Sequence, residues 1–272
     1  MLGGASLLLT MIGASAWVND VSWGPYVNYL GIAGILLVLY FWFGDAISES
    51  EQGLYSGRID PSFRWSMSWF IFSEVMSFAA FFGALFYARG ISIPWLGGDN
   101  NNFFTNALLW TAWTATLPTN GPGDVGGAFP KMGAGGVPAL QPAILRTSGV
   151  TLTIAHHAMQ EGKRRTLGIF LAATFILGFI FMVFQAYEYI HGYSDLNLTL
   201  NSGIYGTTFY MLTGFHGLHV TLGATMLTVI MIRAMKGHFT EENHFAFEAV
   251  AWYWHFVDVV WLGLFVFVYW LV

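Results

Sequence analysis

The chain contains no cysteine in 272 residues. That excludes disulfides, thiolate-held metal centres and cysteine nucleophiles. Charge is nearly as scarce: Asp, Glu, Lys and Arg make up 9% of the chain, where a soluble domain carries roughly 25%. So few charged groups cannot cover a water-exposed surface. The net charge of -5 is small and scattered, which argues against nucleic acid as a partner. The N-terminus lacks the basic stretch and small-residue site of a cleavable signal, and none is expected. What is abundant is apolar: 56% of residues are hydrophobic and 18% aromatic. These proportions predict an all-α polytopic membrane protein.

A span needs about 20 apolar residues. Seven runs qualify, at roughly 2–18, 26–44, 65–88, 143–159, 167–190, 204–234 and 245–271. The first two form a hairpin (1–44) set apart from a bundle of the other five (65–272) by a polar cytoplasmic linker at 45–64. Residues 89–142 form a long external loop, rich in Gly and Pro around "GPGDVGGAFPKMGAGGVP". Within it, "FFTNALLWTAWTATL" (103–117) is apolar but interrupted by Asn and Thr, and suits an interfacial piece better than a span. The basic residues set the orientation. Arg58, Arg64, Lys163, Arg164, Arg165, Arg233 and Lys236 fall between even and odd spans. Arg89, Lys131 and Arg146 fall on the other side. The positive-inside rule then puts the N-terminus in the cytoplasm and the C-terminus outside.

Ionisable groups inside such spans are costly, so each calls for an explanation. Glu74 lies mid-span in "FIFSEVMSFAAFF", with Ser73 and Ser77 nearby. A lone charged carboxylate in hydrocarbon is expensive. Glu74 therefore reads equally as a proton-relay or regulatory carboxyl and as a protonated carboxyl gluing two helices. His216 and His219 are three apart in "TGFHGLHV" and can share a helix face. Neutral imidazoles can ligate haem iron, copper or zinc, but two are half a site, and packed structural histidines are the stronger reading. In span 7, Glu248, His255 and Asp258 form one stripe with Trp252, and this stripe must face protein. It is a proton wire or, preferably, a satisfied polar network. Trp254 and Trp261 are expected to point elsewhere, to lipid or another subunit. His156 and His157 are adjacent and read as solvated groups near the cytoplasmic end. Glu188 is expected to be hydrogen-bonded near the outer interface. Arg233, Lys236 and His238 follow span 6, with Trp42 and Glu49 at the same level. That cluster suits an anionic lipid head group.

Several stretches resemble subunit III of the haem–copper cytochrome c oxidases. They are "SEVMSFAAFF" (73–82), "AHH" (155–157), "FQAYEY" (184–189), "YGTTFYMLTGFHGLHV" (205–220) and "HFAFEAVAWYWHFVDVVW" (244–261), with "FWFGDAISES" (41–50) similar to the exit from span 2. The resemblance covers about 65–89 and 148–272. It implies a non-redox accessory subunit of an aa3-type oxidase, with haem and copper in subunits I and II, cytochrome c as donor and no cofactor in this chain. It further implies support of proton uptake, protection during turnover, and phospholipid in a cleft between spans 1–2 and spans 3–7. By resemblance, Glu74 matches the membrane carboxyl that reacts with carbodiimides in relatives, and Arg233 a lipid-contacting Arg. His216, His219 and the span-7 groups match a buried polar network. The expected location is a bacterial cytoplasmic membrane. The stretch "GGVPALQPAILRTSG", with Arg146, departs from the family pattern at the entry to span 4.

Other classes compete. A proton-coupled transporter would use Glu74, Glu248, His255 and Asp258, yet no inverted repeat is visible. A haem-binding protein would use His216 and His219. A quinol-oxidase relative would typically lack the first two spans, so the hairpin favours the cytochrome c type.

Overall fold

The computed structural model describes residues 1–55, 57, 59–240 and 243–272. Arg58, counted above among the basic loop residues, lies outside them. The described residues are helical and strand-free, and they divide into two compact units, Met1–Phe63 and Arg64–Val272.

The first unit is a hairpin of α1 (Leu2–Val18) and α2 (Gly24–Glu51). Pro25 occupies the first turn of α2, where its missing N–H costs nothing. The two backbones approach closely because small residues line the seam. A Cβ on Gly13 would lie 2.2 Å from the Asn28 backbone nitrogen. Asn28 is buried, and its Nδ2 donates to the Thr10 carbonyl at 2.9 Å. Most large side chains instead point outward, including Leu36, Tyr40, Phe41, Trp42 and Phe43. That arrangement suits hydrocarbon, where close backbone packing rather than apolar burial joins helices. Gly13→Val should therefore destabilise the hairpin by about 1–3 kcal/mol through overpacking. Pulsed electron-spin distances between labels on α1 and α2 should widen; an unchanged distance would contradict the packing account. In the last turn of α2, Glu49 accepts a 2.8 Å hydrogen bond from the Tyr55 hydroxyl just past the helix and so raises the tyrosine's pKa above the ordinary phenol value.

The second unit contains most of α3 (Ile59–Tyr87) and the long helices α6 (Val137–Gln160), α7 (Arg164–Ser194), α8 (Gly203–Met235) and α9 (Phe245–Leu264). A π-helical turn (Ala88–Ser92) and the short α4 (Ile93–Leu96) prolong α3, and a second π-helical segment (Phe265–Trp270) prolongs α9. By length and apolarity, five helical stretches among the described residues can cross a membrane: Gly24–Glu51, Ile59–Leu96, Arg164–Ser194, Gly203–Met235 and Phe245–Trp270. α1 is apolar but only 17 residues long, and α6 is the least apolar of the long helices.

Several boundaries differ from the sequence reading: α2 runs on to Glu51 and α3 begins at Ile59, so both extend into the predicted 45–64 linker. α6 starts at Val137, six residues before the predicted 143, because Pro138 sits in its first turn and Pro142 interrupts only one early backbone bond. Of the apolar stretch 103–117, only Phe103–Leu109 is helical, as α5. Seven residues cannot span.

The core of the second unit lies where α7, α8 and α9 meet. Trp254 and Trp261 are both fully buried there, which corrects the expectation that they face lipid or another subunit. The Trp254 indole lies between two glycines, one on α7 and one on α8. A Cβ on Gly178 would come within 2.8 Å of it, and so would one on Gly223. Its Nε1 donates to Ser148 Oγ on α6 at 2.9 Å. One side chain thus ties α9 to three other helices.

Candidate functional site

The membrane-depth ionisable groups of this unit each find a partner on another helix. Glu74, on α3, has its Oε2 2.8 Å from His219 Nε2 on α8. His219 Nδ1 is 2.7 Å from the Phe215 carbonyl. A carbonyl only accepts, so Nδ1 must carry a hydrogen. Nε2 then either accepts a hydrogen bond from a neutral Glu74 carboxyl or, as imidazolium, donates one to its carboxylate. In both forms the pair shares one proton and has no net charge. Rings enclose the histidine, with Phe215 at 4.5 Å and Phe78 at 5.1 Å between centroids. Ser73 and Ser77 do not join the pair; each donates to a carbonyl of its own helix, Phe70 and Ser73 respectively.

His216, three residues earlier, points away. Its Nε2 donates to the Val257 carbonyl of α9 at 3.1 Å, and its ring lies 4.8 Å from Trp261. The two histidines serve different helices and do not aim at a common point. Among the described residues no group of three or more His, Asp or Glu is placed to hold a metal ion.

The α9 stripe divides along its length. Glu248, in the first turn, pairs with Arg64 at 2.6 Å, and Arg64 also covers the Phe245 ring. A carboxylate at a helix N-terminus also gains from the helix dipole. Farther along, His255 Nε2 lies 3.3 Å from Thr153 Oγ1, and Asp258 pairs with Arg146 Nε at 3.4 Å, both on α6. So the five predicted network residues are not one chain of hydrogen bonds. Each ties its own helix to a neighbour.

Sequence reading gave too little weight to Glu188. It is 2% exposed. Tyr269 donates to its Oε1 at 2.5 Å and Gln141 to its Oε2 at 3.1 Å, which joins α7, α6 and the C-terminal segment. An acid followed by aromatic residues near a helix end resembles an interfacial group; its burial depends on Tyr269, 81 residues away.

At the basic end, His156 is half-buried and stacks on Phe247, while His157 is exposed. Arg233 is buried, with its guanidinium 4.8 Å over the Phe239 ring; Lys236 is exposed and His238 half-buried. Nearby, a cavity of about 440 Å³ is lined by Met159, Arg164, Leu167, Phe239 and Thr240 among others. In the hairpin unit, Trp42 is exposed and Glu49 holds Tyr55.

Comparison with known proteins agrees with this arrangement. A family model described as Cytochrome c oxidase subunit III matches residues 1–99 and 99–272. Cytochrome c oxidase subunit 3 of Oryctolagus cuniculus is 39% identical over 271 residues, covering 99% of this chain and 92% of the relative. The protein of the same name from Carassius auratus is 40% identical with the same coverage, and that from Squalus acanthias 39%.

Proposed function

The chain belongs to the cytochrome c oxidase subunit III family, and from that premise we propose that it is a non-redox accessory subunit of an aa3-type terminal oxidase. Subunits I and II are its partners and carry the haem and copper, and cytochrome c donates electrons to the complex. The chain holds phospholipid and sustains proton uptake into subunit I. Its N-terminus faces the side of the basic loops, the cytoplasm in a bacterial cell.

One observation supports the accessory role most. The ionisable groups at membrane depth in α3, α8 and α9 are paired helix to helix: Glu74 with His219, Asp258 with Arg146, and His216 with a backbone carbonyl. Such pairing fixes helix register. A transporter line from Glu74 through Glu248, His255 and Asp258 gains no support, because these groups have separate partners. The lipid role draws on the basic end, where Arg164 borders the cavity, buried Arg233 sits in the last turn of α8 and exposed Lys236 follows it. Cations at that height attract anionic head groups.

The test is to purify the oxidase with and without this chain and follow oxygen consumption and proton uptake. Loss of the chain should leave early electron transfer running but shorten catalytic lifetime and slow proton uptake. Glu74→Ala in the assembled complex should do the same to a smaller degree, because His219 loses its hydrogen-bond partner on α3. Complete loss of oxygen reduction by a fully assembled Glu74→Ala complex would overturn the proposal.

A further inference from the structure

The outward face of α6 does not suit lipid. α7 turns Ile169, Ile176, Phe179 and Val183 outward, as a lipid-facing helix should. α6 also turns Leu140, Val150 and Ile154 outward, but among them it exposes Arg146, Thr147 and Thr153. The Arg146 side chain is 54% exposed, whereas its partner Asp258 is only 6% exposed. Beside them, half-buried His255 meets Thr153 at 3.3 Å. The helices run antiparallel and close together. A Cβ on Gly149 would lie 3.3 Å from His255 Nδ1 and 3.6 Å from Asp258 Oδ2.

Depth makes this cluster informative. Arg146 is 14 residues before Gln160, the basic end of α6, and Asp258 is 13 residues after Phe245, which begins α9. At about 1.5 Å per residue, both lie roughly 20 Å from that end, inside a hydrocarbon layer of about 30 Å. A guanidinium has five N–H donors. The ion pair with Asp258 is made through Nε, and the Arg146 side chain as a whole is half-exposed. Acyl chains offer no acceptor, and ionisable groups at this depth face protein or a water-filled space.

We propose that the α6–α9 face around Arg146, Val150 and His255 is the docking surface for a membrane-spanning helix of a partner subunit. That helix presents a hydrogen-bond acceptor, a carboxylate or a free carbonyl, to the Arg146 terminal nitrogens. This rests on the reading of the chain as one subunit of a larger membrane complex. The Arg146–Asp258 pair is the polar centre of the contact, and Val150 and Thr153 are its surround.

The test places a photo-crosslinking side chain at Val150 in the assembled complex, with the same group at Val183 on α7 as the lipid-facing reference. At Val150 the expected product is a covalent adduct with a spanning segment of a partner subunit; at Val183 it is lipid. An adduct at Val150 with lipid or with a second copy of this chain, or none above background, overturns the docking surface. A double variant, Arg146→Leu with Asp258→Asn, avoids leaving an unpaired carboxylate and should lower the fraction of partner that co-purifies several-fold. Unchanged co-purification overturns the acceptor contact. If it misfolds, the crosslink still decides. Failure of the unsubstituted chain to co-purify with any partner would sink the functional reading, whereas a retained partner with lipid at Val150 sinks only this surface.

Discussion

Trp254→Ala is expected to cost the second unit about 3–5 kcal/mol, the range for deleting a buried aromatic side chain and leaving a cavity. The indole is fully buried, fills the space over Gly178 and Gly223, and donates to Ser148. Its removal empties the junction of α6, α7, α8 and α9 at once. The loss should appear as poor accumulation of the chain and a strongly lowered unfolding midpoint in detergent. Gly178→Ala reaches the same contact from the other side, since its Cβ would sit 2.8 Å from the ring. Overpacking of that kind costs about 1–3 kcal/mol. The two changes should not add: in a Trp254→Ala background the extra methyl has room, and the glycine substitution becomes nearly harmless. Additive losses would show that the glycine and the indole act separately. A Trp254→Ala protein as stable as the parent would remove Trp254 as the junction of the bundle.

Glu188→Ala is expected to cause the second large loss. It leaves the Tyr269 hydroxyl and the Gln141 amide without their acceptor in a closed interior. Each orphaned buried group costs about 1–3 kcal/mol in a soluble core. In a membrane the unfolded helices find other partners, and single interhelical bonds average nearer 0.6 kcal/mol. A total of about 1–3 kcal/mol is therefore the expected cost. Glu188→Gln should cost much less. It keeps an oxygen for Tyr269, and Gln141 can turn its amide so that Oε1, which has no hydrogen-bond partner, accepts from the new NH₂. Thermal unfolding of the two variants side by side decides the matter. Equal losses would mean that side-chain shape at Glu188, and not its hydrogen bonds, sets stability.

These expectations also mark what the sequence could tell. Hydropathy located the long helices, because about 20 apolar residues in a row have few other uses. The predicted first span, 2–18, matches α1 at both ends. Where the reading stopped short was helix rotation. Glu248, His255 and Asp258 lie along one stripe, but the stripe meets α3 at one end and α6 farther along. Sequence spacing fixes which residues share a face, not which neighbour that face meets. Trp254 and Trp261 were misread for the same reason. In a chain this aromatic, a tryptophan toward lipid and one toward the core look alike. The glycines that admit the indole, Gly178 on α7 and Gly223 on α8, become informative only once the helices are placed side by side. Glu188 depended on a hydroxyl 81 residues away. Arg146 departed from the family pattern near the start of the predicted span 4, and the earlier start of α6 at Val137 sets it deeper inside the helix.

The central claim is that this chain supports an oxidase without holding its redox centres. The most direct measurement is to purify it with its partners in mild detergent, record a reduced-minus-oxidised visible spectrum, then strip the partners and record it again. The account predicts haem bands in the complex and none from the stripped chain, with His216 bonded to Val257 and His219 to Glu74. Haem retained by the isolated chain would contradict it and turn those two histidines into ligands.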